Sequence, residues 1–225
     1  GVLVYALNPL VVAELVGNIH YEGLMTALLL GSFYAMQRGL GGGSAMGLAG
    51  AVGIKLLPLI YLPVLLLPLS WRRSVGYSLV VLILVLVPFG VFWEEGFLVH
   101  FLQSLRLYFQ QFEFNASLYY LLRHTGYWLI GFNPIALIGP VLGLVSALGI
   151  VFISWAKPLP LTLRERALLA GAVYLLCATT VHPWYITPLL ALGAGGRFRF
   201  QGAWAALSVL SYVAYAYQPA WESPV

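Results

Sequence analysis

The sequence predicts an all-α fold: a polytopic transmembrane helical bundle with short, broken helices and one extracytoplasmic interfacial amphipathic helix. Three observations carry this. Of 225 residues, 61% are hydrophobic and 8% charged, and the mean hydropathy is +0.92, which excludes a water-soluble domain of this length. Apolar runs follow one another with short polar breaks, many of them built on Pro or Gly. The basic residues fall in those breaks, so the net charge of +4 points to membrane topology and not to a nucleic-acid partner. The chain reads as a single transmembrane domain, 1–225. Its one cysteine, Cys177, lies inside an apolar run. It excludes an intramolecular disulfide framework and reads as a small buried hydrophobe.

Residues 2–13 are apolar but too few to cross about 30 Å of hydrocarbon, which takes roughly 20 residues. With no initiator Met and no basic n-region before them, they read as the end of a span, and the chain as the C-terminal part of a longer protein. Asn8-Pro9 and Gly17-Asn18 break helix. A helix is expected over 24–36, ending at Gln37-Arg38-Gly39 and the glycines 41–43. From Ser44 to Leu69 the chain is apolar apart from Lys55 and is broken by Pro58, Pro63 and Pro68. Arg38 and Arg72-Arg73 flank it with positive charge on both sides. The segment therefore reads as two short helices that go in and return near Leu57-Pro58, with one long kinked span as the alternative.

Residues 75–92 form a span that ends at Trp93-Glu94-Glu95-Gly96. Phe97, Phe101, Leu105 and Phe109 then recur at helical spacing, with Gln103, Arg106 and Gln110 elsewhere on the wheel, as in an interfacial amphipathic helix. A connecting region rich in Tyr, His and Arg is expected over 113–132. A span over 134–155, a basic loop over 157–166 and a span over 167–180 follow. His182-Pro183-Trp184-Tyr185 is a turn, a short span begins over 186–194, and a basic loop over 197–201 precedes a last span over 203–217.

Charge sets the orientation. With the in-and-out reading, Arg38, Arg72, Arg73, Lys157, Arg164, Arg166, Arg197 and Arg199 share one side, the cytoplasmic one by the positive-inside rule. Glu22, Glu94, Glu95, Glu113, Glu222 and all four His take the other, with Arg106 and Arg123 as its cations. Every plausible catalytic group is then extracytoplasmic.

Between residues 8 and 23 the chain places Glu14, His20 and Glu22 between apolar segments, in a sequence without a single Asp. An acid inside or at the edge of a membrane is costly unless paired or used. Glu22 sits where the next helix begins, close to the positive end of its dipole, and two readings stand: a functional carboxylate or a helix cap. Arg106 and Arg123 suit a lipid phosphate, which the planar guanidinium grips bidentately. They equally suit an ion-pair network with Glu113, Glu94 or Glu95. Lys55, beside the proline-broken turn, is a further candidate phosphate contact. His182 before Pro183 is either structural or part of the site. Metal-ligand spacings, phosphate-cradling glycine loops followed by a basic residue, and the GxSxG elbow are absent from the sequence. No metal site and no cofactor are expected.

Four segments resemble, in order, those of polytopic mannosyltransferases that use polyprenyl-phosphate sugars. They are Asn8-Pro9-Leu10-Val11 followed by Gly17-Asn18-Ile19-His20-Tyr21-Glu22; Ile54-Lys55-Leu56-Leu57-Pro58 with Leu62-Pro63; Phe114-Asn115-Ala116-Ser117-Leu118-Tyr119; and His182-Pro183-Trp184-Tyr185. They span nearly the whole chain. The group belongs to the glycosyltransferase C superfamily, commonly inverting membrane enzymes that take sugar from a lipid-phosphate donor at the outer face.

The resemblance implies a polyprenyl-phosphate sugar donor, a lipid or glycan acceptor, surrounding membrane lipids, and residence in a bacterial plasma membrane in preference to the endoplasmic reticulum. Such enzymes usually carry an acid, often Asp, in a first external loop upstream of where this chain starts. Here that acid is either outside the sequence or replaced by Glu22 or Glu14. The implied reaction is direct displacement with Glu22 as base and His20 beside it. Arg106, Arg123, Lys55, Asn115, Tyr119, His182, Trp184 and Tyr185 would contact substrate. A transporter or lipid flippase, whose helices are also broken, is the rival reading, and a non-catalytic membrane subunit a third.

Overall fold

The computed structural model describes residues 1–91, 93–110, 112–156 and 159–212, with backbone alone for 106–110. Among these residues it is all-α, with twelve α-helices joined by short 3₁₀ and π turns. Helix α1 (Val2–Ala6) stops before Asn8, whose side chain accepts from the Leu10 backbone N–H and starts α2 (Pro9–Val11). Proline at the first helical position is favourable, since its missing N–H has no intrahelical role there. The helix then widens into a π turn, Val12–Gly17.

Helices α3 (Glu22–Gln37) and α4 (Gly41–Ile54) form an antiparallel hairpin around Gly39, which takes φ +74°. At about 1.5 Å per residue they are roughly 24 and 21 Å long, both short of the hydrocarbon thickness. Their contact is close because Gly47 leaves room: a Cβ there would lie 3.0 Å from the Leu28 carbonyl oxygen and the Ser32 nitrogen. Buried hydroxyls tie the pair together, with Ser32 donating to the Ser44 carbonyl at 2.7 Å and Ser44 lying 3.0 Å from the Tyr77 hydroxyl.

Tyr77 belongs to α6 (Trp71–Gly90), which runs parallel to α4. Gly41 and Ala45 share one cavity with Arg73 and Tyr77, whereas Gly50 and Gly53 share another with Leu84 and Pro88. Two parallel neighbours require the chain between them to return across the bundle. It does so through an extended Lys55, the 3₁₀ turn Leu57–Tyr61 and α5 (Leu62–Leu66). The in-and-out reading of residues 44–69 is the observed one. Pro58 and Pro63 open helical turns here, and Lys55, at φ −156° and ψ 139°, makes the break.

Helix α7 (Phe97–Gln110) occupies the expected amphipathic stretch. The region 113–132 is not a mere connection: it contains α8 (Leu118–Ile130), closed by Gly131 at φ +76°, whose N–H donates to the Tyr127 carbonyl. Its polar residues mask the helical spacing of Leu118, Leu122 and Leu129. Helix α9 (Ile135–Trp155) is the second long apolar helix. Helix α10 (Leu163–Cys177) begins inside the expected basic loop, because Thr162 and Glu165 form a reciprocal capping box. Lys157 lies outside the described residues. Helices α11 (Thr187–Gly193) and α12 (Phe200–Ser208) are short, and residues 213–225, including Glu222, lie outside the described residues.

The core runs through these elements as one cluster that includes Leu29, Leu48, Leu65, Leu175, Ile186 and Leu189. The long helices α6 and α9 contribute little to it: only 11% and 22% of their apolar windows are buried. A core helix of a soluble protein would be covered, so these exposed Leu, Val and Ile faces require lipid as solvent.

The two ends of the bundle differ in charge. At one end Arg166 is buried and donates to the carbonyls of Ile153, Ser154, Ala156 and Leu159, at and beyond the α9 C-terminus. A cation is favoured there by the helix dipole. Arg164 donates to Ala194, and Arg197 pairs with Glu165 at 2.8 Å. Glu22 and Lys55 lie at the opposite end.

Candidate active site

Chain breaks at the end opposite the arginines bring four segments together. The π turn ends at Gly17, and Ile19 takes φ +53°, a left-handed conformation that a β-branched residue rarely adopts. That bend lets the His20 N–H donate to the Glu14 carbonyl at 3.0 Å and starts α3 at Glu22. Lys55 arrives from the end of α4, and Pro183 opens the 3₁₀ turn Pro183–Ile186.

Glu22 is almost fully buried, and its carboxylate accepts from the Lys55 ammonium. His20 bridges two acids: Nδ1 is 3.8 Å from Glu22, and Nε2 is 3.3 Å from Glu14. Both His20 and His182 stack on Trp184, at centroid distances of 4.1 and 4.5 Å. The Lys55 nitrogen sits 3.9 Å from the Tyr185 ring centre, a cation–π contact. Burial pushes the Lys55 ammonium below its ordinary pKa, against the opposing pull of Glu22. His182 is pushed down to about 4, first by burial and then by the positive charge of Lys55. It is therefore neutral at pH 7, and its buried Nδ1 has no hydrogen-bond partner among the described residues.

These groups line a cavity of about 390 Å³ formed by His20, Tyr21, Glu22, Ile54, Lys55, His182, Trp184 and Tyr185. A second cavity of about 350 Å³, mostly apolar, adjoins it. Its walls are Leu56, Leu57, Tyr174 and, from α7, Phe101, Ser104 and Leu105. Lys55 and Tyr185 line both. One space suits a polar group and the other a hydrocarbon chain, with an ammonium at the junction.

Six of the residues singled out in the sequence thus meet: His20, Glu22, Lys55, His182, Trp184 and Tyr185. Three others are placed beside them. Arg123 pairs with Glu113, and the Tyr119 hydroxyl donates to the same carboxylate. Asn133 also donates to Glu113 at 3.2 Å. Asn115, at φ +49°, donates to the Val181 carbonyl at 3.2 Å. Together they hold 112–116 alongside 179–182, where the Phe114 N–H donates to Thr179 and the Val181 N–H to Phe114. Phe114 in turn stacks on His182. Arg123 does not line the cavity of Glu22; Glu113 is its nearest anion. The side chain of Arg106 lies outside the described residues.

Sequence reasoning did not reach Tyr174, which sits mid-helix in α10 and carries no motif. Glu14, named from the resemblance as a possible replacement for the family's upstream acid, is fully buried and lies against His20. Among the described residues, no group of three or more His, Cys, Asp or Glu is arranged to hold a metal ion.

The profile of glycosyltransferase family 87 matches residues 1–188 of this chain. No curated protein and no solved structure matches it.

Proposed function

The chain belongs to glycosyltransferase family 87, of the glycosyltransferase C class, and on that premise we propose that it moves mannose from a polyprenyl-phosphate donor to a lipid or glycan acceptor at the extracytoplasmic face. The observation that carries this reading is the junction at Lys55. A polyprenyl-phosphate sugar has a hydrocarbon tail, a phosphate and a sugar in that order. The apolar cavity under α7, the Lys55 ammonium, and the polar cavity with Glu22 and His20 follow the same order. Convergence of the ionisable groups at one end of the bundle also favours an enzyme over a transporter, whose sites lie near the midplane.

The chemistry is a single displacement. The acceptor oxygen attacks the anomeric carbon while the bond from that carbon to the phosphate oxygen breaks, inverting the centre. Glu22 takes the proton of the acceptor hydroxyl, and Lys55 stabilises the departing phosphate. The Lys55 ammonium holds Glu22. A donor phosphate competes for that ammonium and frees the carboxylate to act as base, so the base becomes available when the donor is bound. His182, neutral and desolvated, and Trp184 form the wall against which the sugar lies.

Transfer from a polyprenyl-phosphate mannose in membrane vesicles tests this. Lys55→Met should raise donor KM and lower kcat by at least about tenfold, since a charge-assisted contact is worth about 1.5–3 kcal/mol, while Lys55→Arg keeps part of the activity. Glu22→Gln should abolish transfer and leave donor binding largely intact. Full turnover in Lys55→Met and Glu22→Gln would refute both roles.

A further inference from the structure

Glu14 has no role in the chemistry above, yet it is the most deeply buried acid among the described residues, with no exposed surface at all. Its Oε2 accepts from the Asn18 side chain at 3.0 Å and lies 3.3 Å from His20 Nε2; its Oε1 has no hydrogen-bond partner among the described residues. A carboxylate so placed is costly as an anion unless a cation pairs with it. The group within reach that can become one is His20. The local backbone is shaped to make this meeting: the π turn carries Glu14, and the left-handed Ile19 returns the chain so that the His20 ring lies over Trp184 and against Glu14. Single-turn π segments and left-handed β-branched residues concentrate at functional sites.

We infer that Glu14 is a positioning residue, which holds the proton of His20 on Nε2 and turns Nδ1 toward Glu22 as the next acceptor of the proton taken from the acceptor hydroxyl. The imidazole of a His–carboxylate pair is fixed in one tautomer and made more basic by the acid behind it. The transfer balances: the hydroxyl proton passes to Glu22 as the new glycosidic bond forms, then through one water, across the 3.8 Å between them, to His20 Nδ1. The resulting imidazolium sits between two carboxylates and gives its Nδ1 proton to water in the cavity that His20 lines. Glu22 is thereby reset for the next turnover. The groups facing His20 are Glu14 and Glu22, with Lys55 on Glu22, and Tyr21, Tyr185 and His182 around the same cavity.

The proton's origin rests on the glycosyl-transfer reading; the Glu14–His20 pairing does not, and two measurements separate them. The first is modification of His20 by diethylpyrocarbonate across pH, quantified on its own peptide by mass spectrometry in the purified protein. Glu14→Gln removes the carboxylate that holds Nε2 and should raise the rate of His20 modification several-fold. Glu14→Asp, which keeps the charge, should retain part of the wild-type protection. The second is transfer kinetics. Glu14→Gln should lower kcat about tenfold or more, the range of a lost proton-transfer partner, with donor KM nearly unchanged and partial rescue by Glu14→Asp. An unchanged modification rate in a monodisperse Glu14→Gln protein would overturn the pairing, and a changed rate with unchanged kcat would overturn its role in transfer. If the wild-type protein transfers nothing while the modification rate changes, the pairing is supported and the function assigned above falls instead.

Discussion

His182 illustrates how one side chain's setting decides its use. Stacked on Trp184 at 4.5 Å and facing the positive charge of Lys55, it is pushed down from 6.5 to about 4. A histidine whose folded pKa lies below its unfolded value stabilises the fold fully above about pH 6.5. It gives up that contribution as pH falls through about 4. The wild-type protein in detergent should therefore lose thermal stability between pH 6.5 and 4 more steeply than His182→Gln, and parallel curves would mean that His182 does not titrate in that window. The sequence placed His182-Pro183-Trp184-Tyr185 at a turn because Pro183 breaks helix. It could not give the stack of two imidazoles on one indole, since His20 and Trp184 are brought together by tertiary packing alone. Arg123 failed to join the cavity for the opposite reason. Glu113, ten residues earlier, offers a local carboxylate whose pairing is independent of the distant segments.

At the level of the elements, periodicity was legible wherever one face was uniformly apolar. Helix α7 follows from Phe97, Phe101 and Leu105, and the return of the chain at Lys55 follows from positive charge on both flanks of residues 44–69. Helix α8 was hidden by its Tyr, His and Arg residues. The start of α10 was hidden by a net-basic stretch, although Thr162 and Glu165 carry the capping signal. The α3–α4 contact rests on a different feature, the absence of a side chain at Gly47. Its neighbour Gly53 in the same helix has open space where a Cβ would go, while at Gly47 the Cβ would meet the backbone of Leu28 and Ser32. Gly→Ala in a helix gains about 0.5–1 kcal/mol in propensity, and forced overpacking costs about 1–3 kcal/mol. Gly53→Ala should thus raise the unfolding midpoint, and Gly47→Ala should lower it. Equal shifts for the two would show that the helices do not depend on this close approach.

Over the whole molecule, charge separates along the bundle axis and turns a set of short helices into an oriented site. Gly39, just after Arg38, shares a cavity with Arg73, and Arg164, Arg166 and Arg197 gather about the ends of α9, α10 and α11. Glu22, Lys55, His182 and the Glu113–Arg123 pair lie at the other end, separated from Arg38 by the length of α3, about 24 Å. The positive-inside rule assigns the arginine end to the cytoplasm, and the donor proposed above, a lipid-phosphate sugar used outside the cell, requires the Glu22 end to face outward. Single cysteines tested in intact cells on a Cys177→Ser background check this orientation. A cysteine replacing the exposed His124 should react with an impermeant maleimide, and cysteines replacing the exposed Arg38 or Arg197 should react only after the membrane is permeabilised. The inverse pattern would put the cavity of Glu22 on the cytoplasmic side, where its donor would have to be a lipid-linked sugar that has not yet crossed the membrane.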